Sequence, residues 1–311
     1  MSKRTGNDAG APSLMFDVII IGGSYAGLSA ALALGRARRS VLVLDGRRPR
    51  NRFTPHAHNL LLHDGDAPAD LAALARQQVA AYPTVQLLEA QASTAERRPD
   101  GTFAVTTEAN GTFEASRLLL ATGLRDELPP VPGFAECWGK SVIHCPFCHG
   151  YEVADQPTGI WNNGPEVAHQ VQLLLNWSRE LTVFTNGPAT FGPEVHELLQ
   201  THAIELVETP VAELLHTDGQ LTGVRLADGH TRPLPVLYAR LPWQQASTLP
   251  AQLGCEITEQ VLIRTDATYR TTVPGVYAAG DCSVAPPQLA LAIAAGNLAG
   301  AILSRELIMG S

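Results

Sequence analysis

The sequence predicts an α/β fold of two Rossmann-like dinucleotide-binding domains, the first discontinuous and the second inserted into it. Three observations carry this. Near the N-terminus a β-branched run, a glycine-bearing turn, an Ala/Leu-rich helix and a second apolar strand follow one another. After a Pro-rich stretch in mid-chain, a strand, turn and helix pattern starts again. Near the C-terminus a short apolar strand and a long apolar helix read as the chain rejoining its first domain. At 311 residues the chain exceeds the usual size of one domain, so two are expected.

In order, residues 1–14 read as a flexible polar tail. Asp17-Val18-Ile19-Ile20-Ile21 is a strand, Gly27 to Arg38 a helix, and Val41 to Leu44 a second strand, together a βαβ unit with a right-handed connection. Leu71 to Tyr82 is helical in pattern and ends before Pro83. Thr102 to Thr107 and Thr112 to Ser116 alternate on either side of Asn110-Gly111, a hairpin signal. Leu118 to Leu120 reads as a further buried strand. Leu128-Pro129-Pro130-Val131-Pro132-Gly133 is a linker. Beyond it come a strand at Gly159 to Trp161, a helix at Pro165 to Trp177, strands at Leu181 to Phe184 and Val224 to Leu226, and a turn at Asp228-Gly229. Val261 to Tyr269 and Gly275 to Ala279 read as strands of the returning chain, and the last helix opens at Gln288.

Apolar residues make up 45% and charged residues 17%, as in a chain with a large core. The net charge of −8 and the lack of a basic block argue against nucleic acid as a partner. The start lacks the apolar core of a signal peptide. Leu289 to Leu303, about 15 residues broken by Gly296, Asn297 and Gly300, is shorter than the ~20 that a membrane span needs. The expectation is a cytoplasmic protein, in which a close cysteine pair serves catalysis or metal binding rather than a structural framework.

A dinucleotide turn needs backbone that approaches a pyrophosphate closely, with a helix N-terminus aimed at the phosphates. Gly22-Gly23-Ser24-Tyr25-Ala26-Gly27 stands between strand and helix and fits G-x-G-x-x-G, with Ser24 in place of the middle glycine. Asp45 closes the next strand, 18 residues after Gly27, where a carboxylate can accept hydrogen bonds from ribose hydroxyls. A tight turn that binds nothing is the bland alternative. Leu118 to Leu120 running into Ala121-Thr122-Gly123, and Gly275 to Ala279 running into Gly280-Asp281, are strands that end in small residues.

His144-Cys145-Pro146-Phe147-Cys148-His149 is the most informative segment. A C-x-x-C spacing lets two sulfurs form and break a disulfide and lowers one thiol's pKa, which raises its thiolate fraction. His149 follows directly and is placed to take or give a proton as the disulfide opens. A zinc site is the competing reading, but adjacent residues do not readily surround a tetrahedral ion, and no metal is expected. His144 reads either as structural or as part of the proton relay. Cys137, Cys255 and Cys282 are isolated and read as small buried hydrophobes.

The three glycine-bearing strand ends resemble the FAD-binding signatures of flavoproteins with two dinucleotide-binding domains. The order of turn, ATG-type strand, C-x-x-C and GD-type strand before a last helix looks like low-molecular-weight thioredoxin reductase from about Phe16 onward. That resemblance implies FAD in a domain of residues 15–126 and 244–311, with residues 127–243 as an inserted NAD(P)-binding-like domain carrying the C-x-x-C. It implies cofactor contacts at Gly22, Ser24, Tyr25, Ala26, Gly27, Asp45, Ala121, Thr122, Gly123, Gly280, Asp281, Gln288 and Leu289. Arg52 and Asn59, in a loop along the flavin, and Ala92, near the adenine, are added by the same analogy. It places Cys148 nearer the flavin and leaves Cys145 to exchange with substrate. A homodimer and a rotating inserted domain are also implied. Cys-Pro-Phe-Cys-His-Gly is similar to the branch that includes dithiol oxidases; ordinary thioredoxin reductases carry an acidic residue where this chain has His149.

The resemblance fails at the second dinucleotide turn. Laid on G-x-G-x-x-A, Gly159 to Ala168 has Asn162 at the first position and Val167 at the third, and only Gly164 survives. Val at that third position should push helix and strand apart. Phe184-Thr185-Asn186-Gly187 lacks the basic cluster that holds a 2′-phosphate, and Arg240-Leu241-Pro242 replaces a glycine turn. The expectation is electron transfer between FAD and a thioredoxin-like or small dithiol substrate without NADPH, fed by a ferredoxin or another flavoprotein. The alternatives are an oxygen-dependent dithiol oxidase, an NADPH-dependent thioredoxin reductase, and a non-catalytic FAD-binding sensor.

Overall fold

The computed structural model describes residues 15–310, so the tail read over residues 1–14 lies outside the described residues. Two compact units emerge. The first runs through Pro49, then Ala72–Arg125, and again from Gln245; the second holds Arg50–Leu71 and Asp126–Gln244. The segment 50–71, which the sequence reading keeps in the first domain, groups with the second unit. Arg50 fixes it there: its Nε and Nη2 both bond the Asp126 carboxylate, and its Cζ lies 5.5 Å from the Trp243 ring centre. His58 Nε2 also lies 3.5 Å from the Glu152 carboxylate.

The first unit opens with β1 (Met15–Ile21), α1 (Tyr25–Arg36) and β2 (Val41–Asp45). α2 (Pro68–Ala80) leads to β3 (Val85–Glu89), and β4 (Ala92–Arg97), β5 (Phe103–Thr107) and β6 (Gly111–Leu120) follow. They form one sheet in the order β3-β2-β1-β6-β5-β4, parallel from β3 to β6 and antiparallel beyond. Both faces of β1 are buried. Ile19 and Ile21 enter one core cluster while Val18 and Ile20 enter the other, which is why the run is apolar without alternation. β6 is one strand where the sequence suggests two. Its polar Ser116-Arg117 step looks like a break, yet the pairing with β1 runs from Glu114 to Leu120.

After β7 (Leu124–Asp126) and α3 (Phe134–Cys137) the second unit builds its own parallel sheet. Its strands are β8 (Val142–Ile143), β9 (Thr158–Trp161), β10 (Leu181–Phe184), β11 (Glu205–Val207) and β15 (Val236–Ala239), in the order β11-β10-β9-β15-β8. Short α4 (Pro146–His149) follows β8, α5 (Glu166–Leu174) follows β9, and α6 (Pro193–Thr201) follows β10. β12 (Val211–Thr217), β13 (Gln220–Leu226) and β14 (Thr231–Pro233) make a separate antiparallel sheet.

β16 (Trp243–Gln245) and α7 (Leu249–Gln252) bring the chain back. Val261 to Tyr269 is not the strand expected. Both end residues have left-handed φ, 64° and 62°, which interrupts a ladder, and only isolated bridges form around them. β17 (Val276–Ala278) pairs with Leu118 to Leu120 of β6. α8 (Leu289–Met309) runs 21 residues, longer than the apolar stretch read from sequence, and matches a membrane span in length and composition. Its glycines are packing positions rather than breaks. A Cβ on Gly296 would come within 2.0 Å of the Ala26 carbonyl oxygen, and one on Gly300 within 2.6 Å of that of Ala30. Close backbone approach therefore joins α8 to α1 inside this unit.

Candidate active site

The turn between β1 and α1 is a cradle whose glycines pack directly on neighbouring backbone, where side chains would collide. Gly22 has φ of +115°, and a Cβ there would sit 2.1 Å from the Ala121 oxygen. A Cβ on Gly27 would sit 1.8 Å from the Gly22 oxygen. Ser24 is the extended N-cap of α1, and Tyr25, Ala26 and Gly27 form its buried first turn. The N–H groups of such a turn lack partners in their own helix and favour an anion. Ala121 donates its N–H to Ile21 at 2.8 Å, and Ala279 to Leu120 at 3.0 Å, so the ends of β1, β6 and β17 meet here. Gly280, at φ +82°, brings Asp281 to the same edge, and a Cβ on Gly280 would lie 2.7 Å from that of Ala26. Thr122 and Gly123 continue from β6, while Gln288 caps α8 and Leu289 begins it. Ordered strand ends at this edge are where open α/β sheets bind ligands.

Asp45 closes the cradle. Its Oδ1 accepts the Arg47 N–H at 2.8 Å and its Oδ2 accepts from Arg76 Nη2, which also donates to the Gly23 carbonyl at 3.1 Å. Beside it lies a cavity of about 150 Å³ lined by Gly23, Leu28, Val43, Asp45, Arg47, Arg76, Leu87, Leu88 and Glu89. Ala92 is buried at the start of β4 and does not line this cavity; the wall is formed by the end of β3. Arg76 is absent from the sequence reading. It sits on a helix whose pattern is otherwise that of a solvated surface, and nothing local signals that it reaches a strand end 31 residues away.

Arg52 and Asn59 fall in the second unit. The Arg52 guanidinium lies 4.1 Å from the Phe53 ring centre, and Asn59, at φ +61°, donates its N–H to Asp64 at 2.8 Å. Both residues are exposed.

In the second unit β8 delivers the cysteines. Cys145 and Cys148 are joined as a disulfide across a Cα separation of 5.3 Å. Cys145 is the N-cap of α4, and its carbonyl accepts the N–H groups of Cys148 and His149, each at 3.2 Å. Pro146 occupies the first helical turn, where its missing N–H costs nothing. Gly150 is required by packing, because a Cβ there would meet the Pro146 oxygen at 2.4 Å and Trp177 Nε1 at 2.9 Å. The Trp177 ring in turn meets Phe147 edge-on at 5.5 Å. Phe147 and Tyr151 stay 58% and 87% exposed, which leaves apolar surface beside the disulfide.

Burial lowers the His149 pKa below its usual 6.5; His58 adds to this and Glu152 opposes it. The imidazole is therefore neutral at pH 7 and able to accept a proton. His144 stacks on Trp138 at 5.9 Å. Desolvation first, then the Arg50 charge, pushes its pKa down to about 4; the Asp126 carboxylate opposes this and His149 adds to it. Cys137, Cys255 and Cys282 are free and buried, and burial pushes each thiol's pKa up. Among the described residues no cluster of three or more His, Cys, Asp or Glu side chains is arranged to hold a metal.

The turn after β9 is occupied by its own side chains. Asn162 Nδ2 donates to Gln170 at 2.7 Å, and Asn163 Oδ1 accepts from the Thr190 N–H at 2.8 Å. Glu166, in the first turn of α5, pairs with Arg240 at 2.7 Å. Val167 does not keep helix from sheet; it is fully buried in one cluster with Ile160 and Tyr238. Asn186, at φ +54°, accepts the Val211 N–H at 2.8 Å.

Residues 16–296 match the family described as pyridine nucleotide-disulphide oxidoreductase. Thioredoxin reductase aclD of Aspergillus oryzae is 32% identical over 296 residues, covering 92% of this chain and 94% of that protein. Among solved structures, an oxidoreductase from Agrobacterium tumefaciens is 38% identical with a TM-score of 0.89, covering 96% of this chain and 100% of that one. A protein titled putative thioredoxin reductase TrxB, from Bacillus anthracis, is 29% identical with a TM-score of 0.91, covering 95% and 99%.

Proposed function

This chain belongs to the pyridine nucleotide-disulphide oxidoreductase family, and from that premise we propose that it moves electrons between FAD and a thiol or disulfide substrate through Cys145 and Cys148, without NADPH. The observation that carries the redox part is the Cys145–Cys148 disulfide beside an open apolar surface. The turn suits the cofactor, since Gly22 and Gly27 let its backbone pack closely and it ends at the N-terminus of α1, capped by Ser24, where a phosphate is favoured. Gly22 to Gly27 would hold the pyrophosphate, Asp45 a ribose, and Asp281 with the start of α8 the ribityl and pyrimidine end. FAD, when bound, takes up or gives out two electrons.

The protein's own chemistry is thiol exchange. A substrate thiolate attacks Cys145 Sγ, the Cys145–Cys148 bond breaks, and Cys148 leaves as thiolate. A second substrate thiolate then attacks the mixed disulfide, so the substrate becomes a disulfide and both cysteines are reduced. The reverse sequence reduces a thioredoxin-like disulfide, and relative potentials set the direction. His149, neutral at pH 7, takes or returns the proton at these sulfurs. Below pH 6.5 it protonates as the pH falls through its lowered pKa, and the rate falls with it. His149→Gln is expected to slow turnover about a hundredfold and to flatten that acid limb; a pH–rate profile of both proteins checks this. Glu152, His58 and His144 are the titratable groups that bear on His149.

Support for dispensing with NADPH comes from the turn after β9. Its helix start carries the Glu166 carboxylate, and Asn162 and Asn163 are committed to protein partners. A ferredoxin or another flavoprotein would then supply the electrons. Anaerobic titration with NADPH should leave the flavin absorbance unchanged while reduced ferredoxin bleaches it. Prompt stoichiometric bleaching by NADPH would overturn this part of the proposal.

A second reading is favoured by His149 as a neutral base next to Cys148. There a small dithiol gives two electrons and two protons inward, and oxygen removes them as hydrogen peroxide. We further propose a cytoplasmic homodimer. The buried free cysteines suit a reducing compartment, and Leu298, Ile308 and Met309 of α8 are 51%, 60% and 72% exposed.

A further inference from the structure

We propose that Arg76 is a positioning residue for the adenosine half of the cofactor, acting through Asp45; the inference rests on FAD being the dinucleotide held by the cradle. Arg76 comes from α2, a different element from the turn and strand that it ties together. Its Nη2 bonds both the Gly23 carbonyl, at 3.1 Å, and Asp45 Oδ2, while its Nη1 reaches back to the Ala72 carbonyl at 3.4 Å. The guanidinium is thus anchored to its own helix and clamps the glycine turn to the carboxylate. The side chains of the pair are only 24% and 16% exposed. Desolvating two charges is costly and gives little net stability, so packing alone is a weak reason for the pair to be there.

Its geometry suits a ligand. Each Asp45 oxygen already accepts one bond, Oδ1 from the Arg47 N–H at 2.8 Å and Oδ2 from Arg76. Each keeps further acceptor capacity, which is what two neighbouring ribose hydroxyls require. Gly23 permits this: a Cβ there would lie 2.5 Å from that of Asp45 and 2.7 Å from its Oδ2. The adjoining cavity of about 150 Å³ offers Leu87 and Leu88 to an apolar ring. A clamped carboxylate meets the ribose without first losing rotamer freedom, so binding is tighter than to a free one. Arginine suits the role because one nitrogen bonds two acceptors while the planar group is held elsewhere; lysine offers only a flexible point charge.

The experiment compares affinities of full-length protein for FAD and for FMN, which lacks adenosine, by quenching of flavin fluorescence. Arg76→Gln is expected to weaken FAD about tenfold or more, the size of a lost hydrogen bond to a charged group, and to leave FMN unchanged. In an Asp45→Asn background the same substitution should cost less than about threefold, because the partner is already gone. Arg76→Lys should recover part of the loss. Unchanged FAD affinity in Arg76→Gln, or equal weakening of FAD and FMN, would overturn the proposal. If Arg76→Gln does not fold, Arg76→Lys decides: loss for FAD alone supports the role, and loss for both or neither rejects it. Wild-type protein that fails to bind FAD would instead refute the cofactor reading.

Discussion

Replacing Cys145 or Cys148 by serine should reduce thiol–disulfide turnover to the background rate while FAD stays bound. Serine cannot form the disulfide, and neither cysteine can stand in for both. The two are joined as N-cap and third helical residue of α4, so either change removes the whole exchange. No other cysteine replaces them: Cys137, Cys255 and Cys282 are buried with raised thiol pKa values, and buried thiols of this kind are inert. Turnover with a dithiol or a thioredoxin-like disulfide, together with the ratio of flavin to protein absorbance, checks both halves. Serine variants that keep full activity would move the chemistry elsewhere.

Gly27→Val should give a protein without flavin. The first added carbon would lie 1.8 Å from the Gly22 oxygen, and a backbone atom cannot move aside without opening the turn. Overpacking of this kind costs about 1–3 kcal/mol in an ordinary core, and here the distortion falls on the phosphate-binding turn itself. The expected result is a colourless preparation with a lowered melting temperature that added FAD does not raise. Gly229→Ala is the control. Its φ of +89° makes it strained as well, but nothing lies within 4 Å of the added carbon, so it should retain its flavin.

The features legible in the sequence are those whose cause is local. The glycine turn at Gly22 to Gly27, the parallel strands around it and the Cys145–Cys148 pair are set by backbone sterics, burial on both faces and short spacing. Each leaves its mark within a few residues. The sequence reading missed what depends on distant partners. Arg76 reaches Asp45 from another helix. The segment 50–71 groups with the second unit because Arg50 meets Asp126 and Trp243, more than 70 residues away in each case. Val261 to Tyr269 has apolar, strand-like composition but left-handed φ at both ends. Gly296 and Gly300 interrupt the apolar run of the last helix in the sequence, which does not reveal that their absent side chains let α8 lie on α1. Val167 shows the opposite case: the sequence suggests a clash, and the core simply takes the side chain in.

The central claim is that electrons pass between substrate and flavin by way of Cys145 and Cys148. It is tested most directly by titrating the FAD-loaded protein anaerobically with a small dithiol while following flavin absorbance, in wild type and in Cys148→Ser. The account predicts that wild type consumes two dithiols per flavin, one for the disulfide and one for FAD, and bleaches. Cys148→Ser should stay yellow on the same timescale. Equal bleaching of both proteins would show that the dithiol reaches the flavin without the cysteines, and would contradict the account.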